Sequence, residues 1–141
     1  MSGSGKFRVS LHVSHHTLTA DEITSSFSLQ PRYARSVGAR RITKLGENLG
    51  GVYGQTDISF VVSDGLVNND DILLVEFIDQ TLHNLPLKTI DHIVTSGGIC
   101  FFFIGIYSYR NVLCDFTTDL LSRLVTHGIG LKLDFYGGPE E

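Results

Sequence analysis

Three histidines head the side chains able to do chemistry. His12, His15 and His16 in "HVSHH" have an H-x-x-H-H spacing, and such a cluster can bind zinc or copper. The stretch before them alternates, which puts His12 on the wet face of a strand and His15 and His16 in the turn that follows. A common ligand geometry is therefore not dictated, and an ordinary polar turn is the competing expectation. Cys100 and Cys114, thirteen residues between them, have neither zinc-knuckle nor Cys-x-x-Cys spacing. Cys100 lies in the most apolar stretch of the chain, where a thiol is usually inert. No G-x-S-x-G elbow occurs, and "GENLGGVYG" lacks the G-K-[ST] of a phosphate loop. Enzyme activity is left open as the less favoured class, and no metal or cofactor is expected. A hydrolase would need a pocket joining His12 with Asp134.

The second chemical feature is charge. "PRYARSVGARR", residues 31–41, holds Arg32, Arg35, Arg40 and Arg41, four of the eleven basic residues, with no acid among them. It reads either as a surface for something anionic or as a solvated connection whose arginines pair with acids of the same chain. The whole chain carries −4, but residues 1–56 carry +4 and residues 57–141 carry −8, so a domain with two electrostatic sides is expected. The acidic total speaks against a general nucleic-acid binder.

These residues must be positioned by secondary structure. "FRVSLHVS" alternates Phe7, Val9, Leu11 and Val13 against Arg8, Ser10 and His12, the pattern of a strand wet on one face. "LTADEI" offers Thr19 as an N-cap with Glu22 three residues on, flanked by Leu18 and Ile23, which predicts a helix of about two turns through Phe27. Residues 31–56 show no clean period and are punctuated by glycine. "DISFVVS" is a second strand. Asn69 caps a predicted helix with Ile72, Val75, Ile78 and Leu82 on one face, and a shorter helix covers Leu87 to Thr95. "ICFFFIGIYS" is apolar on both sides, as a strand covered on each face would be. Thr117 opens a last helix ended by Gly128, and "IGLKLDFYG" is the fourth strand.

The order predicts an α+β fold, a ferredoxin-like sandwich: a four-stranded, mainly antiparallel sheet with helices on one face and an extra helix between strands two and three. One domain spans residues 7–136, between a disordered or expression-derived tail at 1–6 and a short tail at 137–141. With helices over Val9, Leu11, Phe60, Leu131 and Leu133, the other face presents Arg8, Ser10, His12, Ser59, Val61, Lys132, Asp134 and Tyr136 about an apolar centre. Ligand pockets and partner interfaces look like this. Residues 31–56 could equally fold over that face and bury it. Some sheet domains stack RNA bases on aromatics of two central strands, but strand one offers only Arg8, Ser10 and His12, and no nucleic acid is expected.

Taken together, "ADEITSSFSLQP", "RSVGARR" and "LLSRLVTHGIGLKLDFY" resemble, in order and spacing, the DUF4279 family, a bacterial domain of unknown function. The likeness spans Phe7 to Tyr136. It departs where the family commonly has tryptophan after the basic stretch; this chain has none, and Tyr53 stands nearby. The resemblance implies an α+β fold and a bacterial source, and brings no activity, cofactor or catalytic residue.

The longest apolar run, Ile99 to Ile106, is too short to span a bilayer, and "MSGSGKF" lacks the apolar core of a secretion signal. The expected setting is cytoplasmic, with reduced thiols and no membrane. The expected function is a binding module holding a protein partner, in the manner of an immunity protein, through His12, Arg32, Arg35, Arg40, Arg41, Lys132, Asp134 and Tyr136. A homodimer through the open sheet face is one form of it. The alternative is a sensor for an anionic metabolite held by the arginines.

Overall fold

The alternation of "FRVSLHVS" becomes β1 (Lys6–His15), whose odd-numbered residues Phe7, Val9, Leu11 and Val13 are all buried. The computed structural model describes residues 5–137. Lys6 and Gly137 are strand residues, so what remains of the two expected tails, 1–4 and 138–141, lies outside the described residues.

After β1 the chain forms α1 (Ala20–Thr24), β2 (Gln30–Arg35), β3 (Arg40–Ile42), β4 (Asn48–Val52), β5 (Thr56–Val61), β6 (Val67–Asn68), α2 (Leu74–His83), α3 (Leu87–Thr95), β7 (Ile99–Ser108), α4 (Thr118–Thr126) and β8 (Ile129–Gly137). The capping box read from the sequence closes α1: Thr19 Oγ1 accepts from the Glu22 amide at 3.2 Å, and Glu22 Oε1 accepts from the Thr19 amide at 2.8 Å. The helix is shorter than its pattern suggested, because two tighter turns take over before Phe27. The helix that Asn69 was expected to cap starts later, with Leu73 at the N-cap position, and Asn69 Oδ1 accepts from the Leu74 amide five residues on at 3.1 Å.

The main sheet runs β2-β5-β1-β7-β8, with β6 pairing the start of β1. Every pairing is antiparallel except β7 with β8, which α4 joins as parallel neighbours. Leu11 lies opposite both Phe60 and Phe102, and Phe102 opposite Leu131, which aligns one apolar row across four strands. Ile23, Ile78, Leu82, Ile90, Ile93, Leu120 and Leu124 of the four helices close over that row in one cluster. The fold is α+β with a mostly antiparallel mixed sheet. The expectation of four strands is corrected to six. In the ferredoxin-like pattern each helix crosses over an intervening strand; here the α1 connection from β1 to β2 crosses β5 and the α2–α3 connection from β5 to β7 crosses β1, whereas α4 joins the neighbours β7 and β8. Among the described residues, no helix is long and apolar enough to cross a membrane.

The stretch without a period resolves into an edge strand and an arm. Arg35 pairs with Asp57, the Gly38 amide donates to Tyr53 O at 2.9 Å, and Arg40 pairs with Val52, so the β2–β5 ladder continues outward as the β3–β4 hairpin. A tight turn ends it: the Gly46 amide donates to Thr43 O at 2.9 Å, with Gly46 in the left-handed region that its lack of a Cβ permits. The root is pinned by buried Thr56, whose hydroxyl donates to Leu18 O at 2.6 Å and accepts from the Val37 amide at 2.9 Å.

Candidate functional site

The even-numbered residues of β1 point away from the helices, and the pairing registers set their neighbours. One row runs Tyr33, Ser59, His12, Phe101, Gly130; the next runs Gln30, Val61, Ser10, Phe103, Lys132. Toward one end follow Arg8, Gly105 and Asp134, then Lys6, Tyr107 and Tyr136; toward the other lie Arg35, Asp57 and Ser14. The buried core among the described residues lies on the helix side alone, so this face is open. Residues 31–56 extend the sheet rather than fold over it.

His12 sits at the centre. Its ring stacks on Phe101, with centroids 5.0 Å apart and planes 10° from parallel, and Phe103 lies at 5.9 Å. Its Nε2 is 3.0 Å from Ser10 Oγ and 3.5 Å from Ser59 Oγ, both serines being buried beneath the surface side chains. Partial burial, then the positive charges of Arg32 and Lys132, push its pKa below the ordinary value, so the uncharged ring is favoured. Lys132 Nζ lies 4.1 Å from the Phe101 ring centre, and the Arg35 guanidinium 4.6 Å from that of Tyr33, both cation–π contacts. At the far end Tyr107 and Tyr136 stack at 4.6 Å, and the Tyr136 hydroxyl donates to Asp134 Oδ2 at 2.6 Å. That hydrogen bond holds the phenol's proton and raises its pKa. Beside Tyr136, a groove of about 390 Å³ is lined by Ser108, Arg110, Asn111 and Phe135 among others.

The structure thus gathers His12, Arg35, Lys132, Asp134 and Tyr136 on one surface, with Arg32 in the bulge of β2 close enough to influence His12. Arg40 and Arg41 are set apart on the arm. There basic and aliphatic side chains are interspersed: Arg40, Arg41 and Lys44 are exposed, and so are Ile42, Leu45, Leu49 and Val52, Leu45 retaining 89 % of its surface. The expected pairing of these arginines with acids of their own chain is not found among the described residues. Among the described residues, none of Arg32, Arg35, Arg40 and Arg41 belongs to an ion pair; the ion pairs present join Arg123 to Asp79 and Asp119, and His127 to Asp91.

His12 and Asp134 are not brought together. Two strand spacings and four residues of β8 separate them, roughly 16 Å. The three histidines diverge as well. His15 turns into the helix side, where its Nδ1 accepts the amides of Thr17 and Leu18, each at 3.0 Å. Its proton therefore resides on Nε2, which donates to Ser96 Oγ at 2.8 Å. His16 is exposed. Among the described residues, no group of three or more His, Cys, Asp and Glu is placed to hold a metal ion. Cys100 is buried, its thiol pushed up to about 12 by desolvation.

Sequence reasoning missed the aromatic character of this face. β7 is covered on one side only, so Phe101 and Phe103 are surface-layer residues rather than core, and Tyr33 and Tyr107 join them. The aromatic partner that β1 was expected to lack is the imidazole of His12. The arm's aliphatic residues were also missed; the signal that marks them is "TKLGE", a turn between two short runs. No protein-family model, no curated protein and no solved structure matches this chain.

Proposed function

We propose that this chain is a non-catalytic binding module that holds an acidic protein partner between its open sheet face and its hairpin arm. The observation that carries the reading is the arm, where four large aliphatic side chains stand exposed among Arg40, Arg41 and Lys44. Aliphatic side chains offered to water at the end of a pinned hairpin gain most by entering an apolar pocket, and the basic rim steers an acidic surface onto them. The behaviour of an immunity protein toward its toxin is the nearest analogy. A bacterial source, the DUF4279 resemblance and a cytoplasmic setting belong to the same proposal.

A second reading is a small anionic ligand with a planar ring, and the His12–Phe101–Lys132 arrangement favours it. A ring stacked there has a cation beside it and buried hydroxyls below. The two readings separate by variant. Loss of the partner on Arg40→Glu/Arg41→Glu, with a rate of association reduced about tenfold and steeply salt-dependent, supports the first. A metabolite that raises the melting temperature of the wild type and of that arm variant equally, but not of Lys132→Ala, supports the second.

A further inference from the structure

The two edges of the main sheet are built differently. The β2 edge carries Pro31, which has no N–H to offer, and a register shift between Pro31 and Tyr33, devices that blunt a strand against pairing. The β8 edge has neither. Its nine residues, Ile129–Gly137, pair with β7 without interruption, leaving an outward row of N–H and C=O groups. Apolar side chains accompany that row: Leu133 retains 41 % and Phe135 63 % of its surface.

Helix α4 adds a second strip. Arg123 reaches Asp79 of α2 and His127 reaches Asp91 of α3, so that flank of α4 faces its neighbouring helices. At about 100° per residue, Leu121 and Val125 fall on the other flank, above the free edge of β8. They too are exposed, at 39 % and 77 %.

We infer that the occupant of this edge is a second copy of the chain, paired antiparallel through β8 about a two-fold axis at Leu133. The sequence "IGLKLDFYG" is self-complementary in that register alone. With Leu133 opposite itself, Lys132 faces Asp134 of the other copy twice over, Leu131 faces Phe135, and all nine residues of the strand are used. A shift centred on Lys132 or on Asp134 sets like charges opposite each other, which destabilises a strand pair. The axis stands perpendicular to the sheet, so both open faces lie on the same side and the α4 flanks bearing Leu121 and Val125 meet. Two five-strand paths become one of ten, and the dimer displays two arms, so that any partner with repeated sites is bound with avidity.

Sedimentation equilibrium on the full chain tests this. The wild type is expected to dimerise, and Lys132→Asp and Asp134→Lys, each setting like charges across the axis, are each expected to weaken the dimer about tenfold or more. Mixing the two variants restores opposite charges in both positions and is expected to recover a heterodimer, as is the double variant Lys132→Asp/Asp134→Lys with itself. In a Cys114→Ser background, Leu133→Cys is expected to form a disulfide between copies on mild oxidation, whereas Leu131→Cys, opposite Phe135, is not. A wild type that stays monomeric up to its solubility limit overturns the inference. So does a dimer indifferent to both single reversals, or one cross-linked through position 131 and not 133.

Discussion

His12 and His15 lie three residues apart, and the pleat sends them to opposite faces with different duties. His15 is a structural residue: its two nitrogens satisfy the amides of Thr17 and Leu18 and the hydroxyl of Ser96, joining the turn after β1 to the end of α3. Its replacement by alanine leaves two buried-side amides without a partner and is expected to cost about 1–3 kcal/mol in a urea titration, while His16→Ala stays within about 0.5 kcal/mol. His12 is held uncharged on the open face. The unfolded chain takes up the corresponding proton first as pH falls, so the stability His12 allows is fully present above about pH 6.5 and is lost as pH drops from there toward its lowered folded value. A series of urea midpoints against pH is expected to show this decline, and His12→Gln is expected to flatten it; an equal slope in the variant contradicts the assignment. Alternation made His12's exposure legible in the sequence. The inward turn of His15 was not, because its partners are backbone amides and a serine 81 residues away.

At the scale of elements, the readable parts were those with a local code. Thr19 and Glu22 announced α1, Thr117 and Gly128 bracketed α4, and strict alternation gave β1 and β5. The arm had no such code. Its strands are short, a register shift separates Arg40 from Ile42, and Gly50 and Gly51 both take left-handed backbone angles, so neither a two-residue nor a 3.6-residue period survives. It also buries no side chain in the core, which removes the apolar pattern that burial imposes. The same fact makes a prediction. Replacing residues 40–52 by an Asn-Gly turn is expected to change folding stability by less than about 1 kcal/mol, since the ladder from β2 to β5 and the Thr56 anchor remain. Loss of cooperative unfolding in that variant would show that the arm is part of the fold rather than an appendage to it.

For the whole molecule, the asymmetry of charge along the chain becomes an asymmetry in space. Lys6, Arg8, Arg32, Arg35 and Lys132 lie on or beside the open face and Arg40, Arg41 and Lys44 on the arm, eight of the eleven basic residues, against Glu47, Asp57 and Asp134 among the acids. By that count the open face and arm carry +5 within a chain of net charge −4, so the excess of acid lies elsewhere, and the first-half surplus of positive charge was the legible trace of the proposed binding side. What the sequence concealed was the sheet order, because the edge position of β8 and the one-sided cover of β7 depend on which strands meet, and that is decided by contacts between distant residues. The proposed partner surface is tested most directly by photo-cross-linking inside expressing cells, with a benzophenone amino acid placed at Leu45 on the arm or, as a control, at Glu76 on α2. An adduct to an acidic protein from position 45, absent from position 76 and lost when Arg40→Glu/Arg41→Glu is added, is the predicted result; no adduct from position 45, or the same adducts from both positions, would contradict the account.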